Sequence, residues 1–244
     1  MSSIQSAALV GNLAFTIVCL VVGIRLLILF FRSRQLPELL LGGSFLAAGL
    51  SLVLSFGRAF SGLDGPPGTA FVYLLRLLIA VAAGLILVLA WRVFRPSARW
   101  ATVLVILGGL GLVASVWNGG SGASDGDPPA PAYWIGRLAL ILPYVWAATE
   151  AYRYQRDLRL RQSLGLAPKD FLATRLSLWS AGLALSALLY SWLALAQALA
   201  IYRDLQLPTL FATSGLGLSI AVCFWLAFFP PRSWVAVPRE GDAS

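Results

Sequence analysis

The sequence predicts an all-α, polytopic integral membrane protein, and three observations predict it. Of its 244 residues, 59% are hydrophobic and only 11% charged, where a water-soluble domain carries about 25% charged residues. The mean hydropathy is +0.82. Apolar runs of about 20 residues, long enough to cross the hydrocarbon core as a helix, recur between short polar segments. A surface this apolar needs lipid as its solvent.

Seven runs are legible, at approximately 6–31, 38–60, 70–94, 98–117, 132–154, 172–202 and 209–229, in a single seven-helix domain closed by a short tail at 230–244. The first is interrupted only by Arg25 near its end. The second follows "RQLPELLL", where Pro37 suits the first turn of a helix and Glu38 complements the positive end of its dipole. "SGLDGPPG" (61–68) separates the second from the third, and "NGGSGASDGDPP" (118–129) the fourth from the fifth. Gly108, Gly109 and Gly111 in the fourth run, and Gly215 and Gly217 in the seventh, are expected to pack closely against neighbouring helices. Pro143 interrupts the fifth run, removing a backbone hydrogen bond and marking a kink or hinge. The sixth run is longer than a membrane requires and is expected to tilt or project. Asp170, after Pro168, serves its first turn as Glu38 serves the second run. "FFPPRSW" (228–234) stops the last helix.

Lys and Arg fall on alternate connections, which orients the helices. Arg32 and Arg34 follow run one, and Arg92, Arg95 and Arg99 follow run three. Arg153, Arg156, Arg159, Arg161, Lys169 and Arg175 follow run five, and Arg232 and Arg239 lie in the tail. The N-terminus is therefore expected outside and the C-terminus in the cytoplasm. "MSSIQSAALV" lacks a basic segment ahead of its apolar run, so the first helix reads as a retained span rather than a cleaved signal. The excess of Arg over Lys (17 to one) and abundant Ala and Leu suggest a bacterial inner membrane. The net charge of +8 follows from this topology, and nucleic acid is not expected as a partner.

Residue types exclude several chemistries. Histidine is absent, which removes the commonest metal ligand and near-neutral acid–base group. Cys19 and Cys223 lie inside apolar runs as free thiols. Asp125 and Asp127 supply too few oxygens for a calcium site. No nucleophile-elbow, zincin or close carboxylate-pair pattern occurs, and run seven has no lysine to link a chromophore. The expectation is a non-enzymatic protein without metal or cofactor.

The polar residues inside the spans carry what functional information there is. At about 1.5 Å per residue, Arg137 lies roughly 8 Å below the outer end of run five, and Arg76 lies at a similar depth in run three. Asn12, Gln197, Thr213 and Ser214 fall in the same layer, with Arg58 and Arg203 at helix ends just above it. Arg76, Arg92 and Arg95 repeat the spacing of Arg137, Arg153 and Arg156, and "RQLPELLL" echoes "RQSLGLAPKDFL" ahead of run six. These echoes fit either a duplicated three-plus-one-plus-three arrangement or shared interfacial rules. A long arginine at this depth can snorkel to headgroups. Helical steps from Arg76 reach Ala80, Ala83 and Gly84, and from Arg137 reach Tyr144, Ala148 and Ala151. Such faces favour helix contact and point both guanidinium groups into the bundle.

Arginine donates in a planar fork to carboxylate or phosphate and stays charged when partly desolvated. With Tyr73, Trp134, Tyr144 and Tyr190 around it, and no acidic residue at that level of the spans, the layer suits a small anionic ligand or lipid headgroup. The expected function is receptor-like or sensory binding from the outer side, with Pro143 as hinge. A transporter, or an accessory subunit of a membrane complex, is the alternative. Glu150 is expected to pair locally with Arg153 or with Arg25, and the basic stretch 153–175 to meet anionic lipid or a cytoplasmic partner.

Overall fold

A computed structural model describes residues 3–61, 66–118, 131–167, 171–198, 206–231 and 234. Among them are seven α-helices: α1 (Ser3–Ser33), α2 (Leu36–Ser61), α3 (Pro66–Leu89), α4 (Arg99–Asn118), α5 (Pro131–Ser163), α6 (Leu172–Ala198) and α7 (Gln206–Phe228). A five-residue π-helical turn, Ala90–Phe94, ends α3. No strand occurs among the described residues. Six helices, all but α5, are long and apolar enough to cross a bilayer. The chain is an integral membrane protein.

The helix between 131 and 163 departs from the expected pattern. Its first half carries Tyr133, Trp134, Arg137, Pro143 and Tyr144, which dilute its apolarity, and its second half is rich in arginine. It continues nine residues past the expected end at 154 and, among the described residues, is the longest helix, at 33 residues. That spans about 50 Å, against about 30 Å of hydrocarbon. The fifth helix, like the sixth, is therefore longer than a membrane requires, because 155–163 keeps helical geometry without an apolar stripe to announce it.

Local chemistry fixes the ends that are described. Arg34 takes a left-handed conformation (φ 56°), and its N–H donates to the Phe30 carbonyl at 2.8 Å, turning the chain sharply into α2. Pro37 and Glu38 occupy the first turn of α2, as expected, and the Ser33 hydroxyl donates to the Glu38 carboxylate. Both loops at 62–65 and 119–130, the segment 168–170 and the tail from 235 lie outside the described residues.

Each helix packs on its neighbours in chain order, and α7 returns to α1. Because α3 also packs directly on α5, α4 sits outside a closed ring formed by α1, α2, α3, α5, α6 and α7. The outer face of α4 confirms its place, with Val103, Leu107, Leu110, Val113 and Trp117 all exposed in a helical stripe suited to lipid. Inside the ring, Leu41, Phe45, Ile86 and Phe224 meet at the core, while Leu87 packs on Gly108 of α4. Phe45 meets Phe224 edge-on at 4.8 Å between ring centroids.

Close approaches occur at only some of the expected glycines. A Cβ on Gly111 would lie 2.7 Å from Ala139 Cβ, whereas Gly109 and Gly215 have open space around them. The tightest of the described glycines is elsewhere, where Gly11 of α1 meets the Ser214 carbonyl of α7, 2.5 Å from where a Cβ would stand.

Candidate functional site

Arg76 and Arg137 line one cavity of about 310 Å³, at the end of the bundle where α3 and α5 begin and α6 finishes. Its walls are Leu75, Arg76 and Ile79 of α3, Ser115 of α4, Tyr133, Gly136, Arg137 and Leu140 of α5, and Tyr190, Leu193 and Gln197 of α6. The volume lies at the lower end of the range of small-molecule sites, roughly 300–1,000 Å³. The small-residue faces below both arginines turn inward: Ala80, Ala83, Ala148 and Ala151 are buried, as is Tyr144.

A hydrogen-bonded group fixes one wall. Arg137 Nη2 donates to Gln197 Oε1, and its guanidinium carbon lies 5.0 Å from the Tyr133 ring centroid. The buried Tyr133 hydroxyl is 2.9 Å from the Ala194 carbonyl oxygen and 3.1 Å from Gln197 Oε1. With its oxygen facing two donors, Gln197 leaves its amide N–H groups to donate elsewhere. Its carbonyl is neutral, so it orients Arg137 without cancelling its charge. Across the cavity, the Arg76 guanidinium carbon lies 5.8 Å from the Tyr73 ring centroid. The lining is rich in donors, the chemistry an anion requires.

The remaining expected residues fall elsewhere. Asn12, Thr213 and Ser214 lie on α1 and α7, outside this lining. The Asn12 carbonyl accepts from the Thr16 hydroxyl, and Thr213 donates to the Thr209 carbonyl. Their depth along the helices matched the arginines, but their position around the ring does not. Tyr73 is exposed, and Trp134 packs edge-on against Tyr133 without lining the cavity. The Arg58 side chain and the whole of Arg203 lie outside the described residues. Pro143 is fully buried within a continuous α5.

Tyr144 lines a second, smaller cavity of about 50 Å³ at the centre of the ring. All six ring helices contribute to it, among them Phe15, Cys19, Ser44, Phe45, Ile86 and Phe224. Tyr190 lines both cavities and stacks on Tyr144 at 5.2 Å. Along α6, the lining runs Gln197, Leu193, Tyr190, Ser186, Leu183 and Trp179. Those steps of three and four residues define a single helix face.

Tyr133 and Ser115 are the lining residues with side-chain hydroxyls that sequence reasoning missed. Tyr133 stands one helical turn before Arg137, on the same face, and that spacing was the available signal. Ser115 comes from the peripheral helix and had none.

Glu150 forms a second polar centre further along α5, beyond Pro143. It is buried, and both its oxygens accept from Arg95, from Nε at 2.9 Å and Nη2 at 3.0 Å. Arg153 stands 3.7 Å away. Arg25 instead donates to the Phe228 carbonyl at 3.0 Å and lies over the Phe229 ring. The main partner thus comes from the turn after α3. Pairing with Glu150 raises the pKa of Arg95.

Fold and cavity together define a class, a helical integral membrane protein with a donor-rich cavity set among its helices. No protein-family model, curated protein or solved structure matches the chain.

Proposed function

We propose that the protein binds a small anionic ligand in the cavity between Arg76 and Arg137, as a receptor-like membrane protein without enzymatic activity. One observation carries this reading. Two arginines from different helices, of four helices in all, converge on a single cavity of ligand size. Intramembrane arginines that face a bundle interior are rare and expensive unless they serve a function. The ligand's carboxylate or phosphate lies between the two guanidinium groups, with the Gln197 amide as a further polar contact.

In this reading α5 is a seventh span, its polar face covered by α3, α4 and α6. The distribution of arginines supports a cavity open to the outer side, and in this reading the membrane is a bacterial inner membrane. The basic continuation of α5 beyond Glu150 then faces anionic lipid or a partner in the cytoplasm.

Thermal unfolding in phosphatidylcholine nanodiscs tests the reading, with butyrate, benzoate and glycerol phosphate as soluble probes. A second arm without added probe replaces part of the phosphatidylcholine by phosphatidylglycerol. Bound ligand stabilises the folded state by mass action, so at least one probe or the anionic lipid raises the melting temperature. Arg76→Ala and Arg137→Ala each remove that increase. Parent and both variants responding alike would overturn the site.

The stacked cavities favour a second reading, transport of the same anion. A radiolabelled probe that accumulates in proteoliposomes, and does so only with Arg137 present, would select it.

A further inference from the structure

The two cavities meet at one side chain, and that meeting places a limit on the ligand. Tyr190 is at once the floor of the arginine-lined cavity and part of the lining of the central one. From Gln197 to Trp179 this face of α6 covers 18 helical steps, about 27 Å at the helical rise. Polarity changes sharply along it. Above Tyr190 the walls offer Arg76, Arg137 and Gln197, beside Ser115, whose hydroxyl donates to the Leu112 carbonyl at 2.7 Å. Below it they are mostly apolar, with Phe15, Phe45, Ile86, Leu183 and Phe224 beside Cys19, Tyr144 and Trp179, and the two serines there are committed. Ser44 donates to the Ala82 carbonyl at 2.9 Å and Ser186 to the Gly182 carbonyl at 2.8 Å.

We infer that the ligand is an amphiphile, a carboxylate or phosphate head with a single unbranched apolar chain. The inference rests on the anion site proposed above. The head occupies the arginine-lined cavity, and the chain passes Tyr190 into the centre of the ring. A bare inorganic anion would leave the central cavity empty and gain nothing from it. A bulky or branched body would not fit the central cavity of about 50 Å³, beside which Tyr190 is stacked on Tyr144. One water-sized group needs at least 10–15 Å³ of such space, so about 50 Å³ takes a chain end of about four carbons. Fatty carboxylates and single-chain anionic lipids share this chemistry.

The test is a chain-length series in phosphatidylcholine nanodiscs: butyrate, hexanoate and octanoate, with lysophosphatidate as the lipid arm. Binding is measured by equilibrium titration and referenced to nanodiscs without protein. Affinity rises about fourfold per added methylene, a ratio on the order of a hundredfold between octanoate and butyrate. Ala48→Leu on α2 and Ser186→Leu on α6 each fill the central cavity from a different helix and bring the ratio towards one. Arg137→Ala weakens every member of the series.

Arg137-dependent affinity that is the same for all three chain lengths would overturn the amphiphile and leave the anion site standing. A chain-length ratio that survives in both filled variants would overturn the placement of the chain. Binding that is indifferent to Arg137 throughout would overturn the anion site and this inference together. Lysophosphatidate binding more tightly than octanoate, with the same dependence on Arg137 and Ala48, identifies the membrane as the ligand's source; the reverse order identifies a free carboxylate.

Discussion

At the scale of single residues, neutral partners do most to shape the arginine cavity. Gln197 and Tyr133 hold the Arg137 guanidinium in place and leave it charged. The opposite arrangement holds at Glu150, where a bidentate carboxylate consumes the charge of Arg95. Fork-to-fork pairs are stronger and more directional than single contacts, and the carboxylate here is buried while Arg153 is mostly exposed. Arg95→Ala is therefore expected to lower the melting temperature more than Arg153→Ala does. The double exchange Arg95→Glu with Glu150→Arg recovers part of the loss. Equal losses from the two arginine substitutions would show that the pairing at the α3 turn is not the dominant one. This pair could not be read from sequence, because its partners are 55 residues apart and Arg95 fitted the ordinary pattern of basic connections.

Elements were far more legible than their arrangement. Helix existence follows from local apolar composition, and the runs near 6–31, 38–60, 98–117 and 209–229 end within a few residues of α1, α2, α4 and α7. What composition reports is depth along a helix. Azimuth around the ring depends on all the neighbours at once, which explains why Asn12, Thr213 and Ser214 share a level with the arginines and not a cavity. Gly109 and Gly11 show the same limit, since only packing distinguishes a glycine facing open space from one at a crossing. Gly11→Val would force α1 off α7 and is expected to destabilise by about 1–3 kcal/mol, the usual cost of overpacking. Gly109→Ala meets nothing within 4 Å and is expected to be neutral or to stabilise by up to about 1 kcal/mol through helix propensity. Unfolding in mixed micelles measures both; matching effects would contradict the assigned faces.

Across the whole molecule, the exclusion of α4 from the ring brings α3 and α5 together, and with them Arg76 and Arg137. The repeated arginine spacing in those two helices thus has a spatial counterpart, whatever its origin. The central claim is that this cavity receives anions from the outer side of the membrane. Ser115 lines it, and cysteine is close to serine in size, so Ser115→Cys in a chain with Cys19→Ala and Cys223→Ala places a single thiol in the cavity wall. Intact cells are treated with two membrane-impermeant methanethiosulfonates, one carrying a sulfonate and one a trimethylammonium group. The account predicts that the anionic reagent modifies the introduced thiol the faster of the two, and that Arg137→Ala removes its advantage. A thiol that neither reagent reaches from outside, or that the cationic reagent modifies faster, would contradict it.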